Sequence, residues 1–182
     1  MSLDLKNTQE VISRFANKVI KDSKKNLVDK NASRELLKSL GYDLDVFSNS
    51  FHLSFSMAKH GVFQDRGIKG THSGKSLDNF SYKPSSKMLG AELATGRFAK
   101  WAKRRGIRFR DENGRFAKGS YKQIGIAIAL SVKKKGIKPS LWFTKPFQHN
   151  FNNLDDQIKE AFGLDVDEFM EQTLSGIKLK EK

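Results

Sequence analysis

Apolar residues recur every three or four positions along Thr8–Asn26. Val11, Ile12, Phe15, Val19 and Ile20 share one face, with Lys and Asp between them. That spacing predicts an amphipathic helix. Asn7 or Thr8 would cap it, with Glu10 in the first turn. A shorter helical stretch is expected over Asn31–Leu40, capped by Asn31 or Ser33 and stopped by Gly41. The period then falls to two. Leu44, Val46 and Phe47 precede a Ser-Asn-Ser turn, and Phe51, Leu53 and Phe55 alternate with His52, Ser54 and Ser56. Such alternation predicts an antiparallel strand pair. Gly67–Lys83, rich in Gly, Ser, Thr and Asn, reads as a long loop, mobile in the isolated chain.

The helical period returns at Lys87–Arg105, where Met88, Leu89, Leu93, Phe98 and Trp101 make an apolar stripe. Lys100, Lys103, Arg104 and Arg105 load its C-terminal end, which suits the helix dipole, and Gly106 stops it. Arg108–Phe116 reads as a hairpin around Asn113-Gly114. Ile124–Val132 fits both periods, but three lysines and Gly136 behind it favour a helix. Phe147–Phe162 is expected as a helix ended by Gly163, and Asp165–Leu174 as a last short one, with a charged tail after Gly176. The pentapeptide GRFAK occurs at Gly96–Lys100 and again at Gly114–Lys118. A helix and a hairpin are expected at the two sites, so the match does not define a repeat.

Two segments stand apart. Gly136–Phe147 reads GIKPSLWFTKPF, and His60–Gly70 reads HGVFQDRGIKG. Both set aromatics beside Gly or Pro, with no nucleophile, base or ligand set. Pro139 and Pro146 push Lys138 and Lys145 toward extended backbone. The first segment therefore reads as a rigid strap that ties the helix before it and the one after it to the sheet. Trp101 and Trp142 sit among apolar neighbours and read as packing groups rather than base-stacking platforms.

Composition narrows the function classes. The 182 residues carry 34 Lys and Arg against 20 acids, and no cysteine, so disulfides and thiolate metal sites are excluded. His52, His60, His72 and His149 form no HxH or HxxxH pair, which argues against zinc. No apolar run is long enough to span a bilayer, and the N-terminal residues lack a signal-peptide pattern, so neither a membrane nor that secretion route is expected. Charge is segregated. Residues 97–138 hold fourteen Lys and Arg and two acids, whereas residues 151–182 hold four and eight. A basic middle and an acidic end can attract each other within one copy or between copies. Gly67–Ser76 contains Gly-Lys-Ser, but Lys69 stands where a phosphate-binding loop needs its first glycine.

The ordered features resemble the head–tail joining and tail-completion (neck) proteins of tailed double-stranded DNA bacteriophages. In that family the second strand runs into Tyr-Ala-x-x-x-Glu-x-Gly. Here His60–Gly67 keeps the spacing, with Asp65 at the Glu position, Gly67 at the Gly and His60 in place of Tyr. The family's Phe-x-x-Pro-Phe/Ala step into a C-terminal helix is matched by Phe143–Phe147. The similarity spans roughly Ala32–Phe162, and residues 108–122 read as an insertion. It implies an α+β subunit, with a small antiparallel sheet packed on helices, that assembles without catalysis into a ring between portal and tail.

The resulting expectation is an N-terminal helix over 1–30, an α+β core over 31–163 and a C-terminal helix and tail over 164–182. The core would carry a loop at 70–87 and a basic hairpin at 106–122, both reaching adjacent rings. Phe63, Asp65, Gly67, Gly70, Trp142, Phe143, Pro146 and Phe147 would be the motif, with Asp65 and Arg66 offered for interchain pairing. Lys100, Lys103, Arg104, Arg105, Arg108, Arg110, Arg115 and Lys118 would face packaged DNA or an acidic partner. No cofactor or metal is called for, and no catalytic cluster is evident. Portal, other neck or tail proteins and copies of the chain are the expected partners, in a virion assembled in the host cytoplasm. The alternative is non-specific nucleic-acid binding through residues 97–138.

Overall fold

The computed structural model describes residues 4–29, 33–47 and 50–178. Asn31 as a cap, the Ser48-Asn49 turn and the tail beyond residue 178 lie outside the described residues. The fold is mixed helix and sheet, α+β as expected, with a long N-terminal helix, a two-stranded antiparallel sheet and C-terminal helices. It divides into two compact units, residues 1–61 with 141–182 and residues 62–140. These boundaries do not coincide with the expected ones at 30 and 163, because the N-terminal helix packs on the last helix and the latter runs through residue 163.

In the first unit, α1 (Lys6–Asp29) buries Val11, Ile12, Phe15, Ala16, Val19, Ser23 and Leu27, two helical turns more than the expected stripe. α2 (Arg34–Ser39) is capped by Ser33, whose hydroxyl accepts from the Leu36 N–H at 3.2 Å. Gly41 is not a helix stop. It is the first residue of β1 (Gly41–Phe47), which pairs antiparallel with β2 (Ser50–Ser56), Leu44 opposite Leu53 and Val46 opposite Phe51. α7 (Thr144–Phe151) and α8 (Leu154–Lys178) complete the unit.

One core gathers Val11, Phe15 and Val19 of α1 with Leu154 and Ala161 of α8, joined by Leu53, Phe55, Phe143 and Phe147. Its aromatics meet edge to face, Phe15–Phe147 at 5.7 Å and Phe55–Phe143 at 5.3 Å. A second core surrounds Trp142 with Leu27, Leu36 and Leu40. The indole N–H donates to the Gly61 carbonyl at 3.2 Å. A Cβ at Gly61 would stand 2.6 Å from Leu36 Cδ1 and 3.3 Å from the Trp142 ring, so both side chains would have to give way to it.

Two expected helix limits move. The predicted Phe147–Phe162 helix breaks at Asn152-Asn153, between α7 and α8. Paired asparagines compete for backbone hydrogen bonds and suit helix ends. Gly163 does not stop α8; the helix passes it between Ala161 and Asp165, both buried. The strap is also shorter than expected. Lys145 and Pro146 are helical, inside the first turn of α7, where the missing proline N–H has no partner to lose.

The chain passes from the first unit to the second within α3 (Lys59–Arg66), an unpredicted helix whose first three residues belong to the first unit. β3 (Ile68–Lys69) and β4 (Gly136–Ile137) form a separate antiparallel pair, Ile68 opposite Ile137. The two segments singled out in the sequence therefore pair with each other, whereas the strap's start joins neither β1 nor β2. Between them lie α4 (Met88–Thr95), α5 (Arg97–Arg104) and α6 (Tyr121–Lys135), with α4 and α5 packed on α6. The predicted Lys87–Arg105 helix is thus two helices, split where Gly96 turns left-handed at φ 59°. Ile124–Val132 is helical as expected, begun by a capping box between Ser120 and Gln123.

Candidate functional site

The glycine-rich segment that invites comparison with a phosphate loop is occupied by its own chain. Thr71 N–H donates to the Lys133 carbonyl at 2.9 Å, and His72 and Ser73 N–H to the Lys134 carbonyl at 3.1 and 3.2 Å. These are the last carbonyls of α6, which a helix leaves without partners. Side chains at Gly70 and Gly74 would overlap the Lys134 and Lys135 carbonyls. Ser76 Oγ bonds the Gly67 carbonyl at 2.9 Å, and Lys69 N–H bonds the Phe80 carbonyl at 2.7 Å. The expected free loop is tied down over residues 67–82.

The remaining motif residues are also used in packing. Gly67 takes φ 79° against Pro139. Phe63 meets Phe80 edge to face at 5.0 Å. Asp65 is buried, so it is not offered for interchain pairing, and Arg66 pairs with Asp78 at 3.5 Å within the unit. Trp142, Phe143, Pro146 and Phe147 lie in the first unit's cores or against them.

The cations stand on a different part of the second unit. Sequence reading passed over Glu92, whose buried carboxylate accepts from Phe98 N–H at 2.8 Å and Ala99 N–H at 2.9 Å. It caps α5 from the preceding helix and sits where a carboxylate complements the helix dipole. Gly125 of α6 passes this cap so closely that a Cβ would stand 2.7 Å from Ala99 N. Glu92→Ala is expected to cost about 1–2 kcal/mol, read as a lower urea midpoint. An unchanged midpoint would mean that α5 does not depend on this cap.

Lys100, Lys103, Arg104 and Arg105 project from the capped α5 and are exposed. Trp101, expected as a packing group, is instead 39% exposed, because α6 covers only part of its ring, and the Arg105 guanidinium lies 5.6 Å from that ring. Arg97, Phe98, Trp101 and Arg104 of α5, with Ile128 and Val132 of α6, line an open groove of about 410 Å³. Beyond it, residues 107–119 form the expected hairpin. Arg110 bridges Phe116, Gly114 N–H bonds the Asp111 carbonyl at 2.9 Å, and Gly114 alone in this turn takes positive φ. That is a three-residue loop rather than the two-residue Asn-Gly turn.

Phe116 is 63% exposed, and its ring is flanked by Arg110 at 4.8 Å and Arg108 at 5.6 Å. Arg115 and Lys118 are exposed on the same hairpin. All eight cations named from the sequence thus fall on α5, its C-cap Arg105 and this hairpin. Among the described residues, Lys100, Lys103, Arg104, Arg108, Arg110, Arg115 and Lys118 enter no ion pair. Cations left without carboxylates are suited to a polyanion or an acidic protein face.

Among the described residues no three His, Cys, Asp or Glu stand together as metal ligands. No described helix is long and apolar enough to cross a membrane. No family model matches the chain, and neither a curated protein nor a solved structure matches it.

Proposed function

We propose that this chain is a non-catalytic structural subunit of a phage neck, joining portal to tail as one copy in a ring around the DNA channel. The observation that carries the reading is the division of labour between its two kinds of residue. The neck-like motifs are consumed in holding the scaffold, Trp142 on Gly61 and Gly67 on Pro139. The cations of α5 and the hairpin are left exposed, as a face toward packaged DNA or an acidic neighbour requires. Native mass measurement with and without a portal protein tests it. A defined multimer on the portal is expected. A chain that stays monomeric alone and with portal and tail partners overturns the proposal.

Phe116 held between two arginines favours a second reading, non-specific nucleic-acid binding, because an exposed ring with flanking cations can stack on a base and neutralise phosphates. This reading expects the isolated chain to bind DNA with an affinity that falls steeply in salt. Replacing Arg108 and Arg110 by Ala would reduce the salt slope by about 2. No binding at low salt removes it.

A further inference from the structure

From Phe162 onward, α8 carries an apolar stripe that the described residues of its unit leave partly exposed. Phe162, Met170 and Leu174 are about half exposed, and Val166 and Phe169 partly so. Their spacing, i, i+4, i+7, i+8 and i+12, places them along one helical face. Glu160, Asp167 and Glu171, all exposed, run beside that stripe at i, i+7 and i+11. From Glu160 onward, α8 is an acidic amphipathic helix whose second apolar face has no partner among the described residues.

The α5–α6 groove is its complement in shape and in sign. Its floor is Phe98, Trp101, Ile128 and Val132, and Arg97 and Arg104 stand on its rim. The step from Arg97 to Arg104 is seven residues, as is the step from Glu160 to Asp167. At 1.5 Å per residue, each pair of like charges is about 10.5 Å apart along its helix. An apolar helix face set in an apolar groove, with charged rows in register at the rim, is a recurrent mode of helix recognition.

We infer that α8 of one copy, from Glu160 onward, docks in the α5–α6 groove of a second copy. The rim arginines attract an anion of either kind, but the apolar floor of Phe98, Trp101, Ile128 and Val132 fits the apolar face of an acidic helix and offers nothing to a phosphate backbone, which selects this occupant over a nucleic acid. Groove and helix are different surfaces, so the contact is head-to-tail, and repeated it closes a ring or grows a filament. The inference deepens the ring reading by naming the two faces that meet.

Sedimentation of the full-length chain over a micromolar concentration series tests it. Self-association that weakens with salt is expected. Arg97→Glu with Arg104→Glu, or Glu160→Lys with Asp167→Lys, should each weaken it by about tenfold or more. These side chains are exposed, so circular dichroism should match the wild type. Mixing the two double variants should restore assembly, since each groove then meets a helix of opposite charge. A chain that stays monomeric throughout overturns the contact. So do double variants that assemble like the wild type, a mixture that is not rescued, or a concentration-independent response from α8 closing on its own groove. If such a chain still forms multimers on the portal, only the contact falls; if it forms none there, the ring reading falls too.

Discussion

Gly136→Ala is expected to destabilise the second unit by about 3–5 kcal/mol, from backbone strain added to overpacking. Gly136 sits at φ 78° and ψ −165°, a region that only glycine occupies readily. It ends α6, with its N–H on the Val132 carbonyl, and opens β4 opposite Lys69. A Cβ there would overlap the Ile68 carbonyl and stand 2.6 Å from Gly70 N. Both neighbours are backbone, so no rotamer change relieves the clash. The cost is a large share of an ordinary domain's 5–15 kcal/mol. Gly90→Ala and Gly163→Ala are the controls. Both glycines are helical with open space where a Cβ would go, so alanine should be neutral or add up to about 1 kcal/mol. Urea midpoints, with amide exchange across β3 and β4, measure the difference. A Gly136→Ala chain as stable as its controls would refute the close approach.

Asp165→Ala should lower stability by about 2–4 kcal/mol. Asp165 is buried on α8, and its carboxylate closes the start of α1. It accepts from Asn7 N–H at 2.8 Å, Thr8 N–H at 3.0 Å and the Thr8 hydroxyl at 2.7 Å. Removing it strands these donors, each at the cost of an unmet buried hydrogen bond. Burial alone would raise the Asp165 pKa. Hydrogen bonds from Thr8 and Asn7 outweigh it and hold the group below its ordinary 3.8. The folded pKa is therefore lower than the unfolded one. The stabilisation is complete above about pH 4 and is lost as pH falls through the folded value. Asp165→Asn should flatten that acid limb in thermal melts taken from pH 6 to pH 2, while keeping part of the capping. An unchanged acid limb would place the acid sensitivity in other carboxylates.

These two residues show where legibility ended. Asp165 is one of eight acids in residues 151–182, and nothing local marks it. Its donors lie 157 and 158 residues away. Glu92 is closer to readable, six residues before the N–H it caps, but its role required α5 to begin at Gly96. That start had a signal, a glycine behind Thr95, which the continuous apolar stripe from Met88 to Trp101 outweighed. The Ser120–Gln123 box was equally visible and would have resolved the Ile124–Val132 ambiguity. The alternation of Phe51, Leu53 and Phe55 and the stripe of α1 are legible directly, because one buried face imposes its period on the sequence.

What the sequence determined by itself is therefore local. It set the type of most elements, the strand pair, the hairpin and the segregation of charge. Each follows from interactions between residues a few positions apart, or from composition alone. Tertiary structure decided which glycines must lack a side chain, which carboxylates cap which helices and where the chain divides into units. It also decided that the motif residues serve packing, while the cations of α5 and the hairpin remain exposed. Those outcomes depend on backbone groups meeting across distant stretches of chain, as when residues 71–73 close the end of α6. No local pattern encodes them, because any glycine or acid reads the same until its partner arrives.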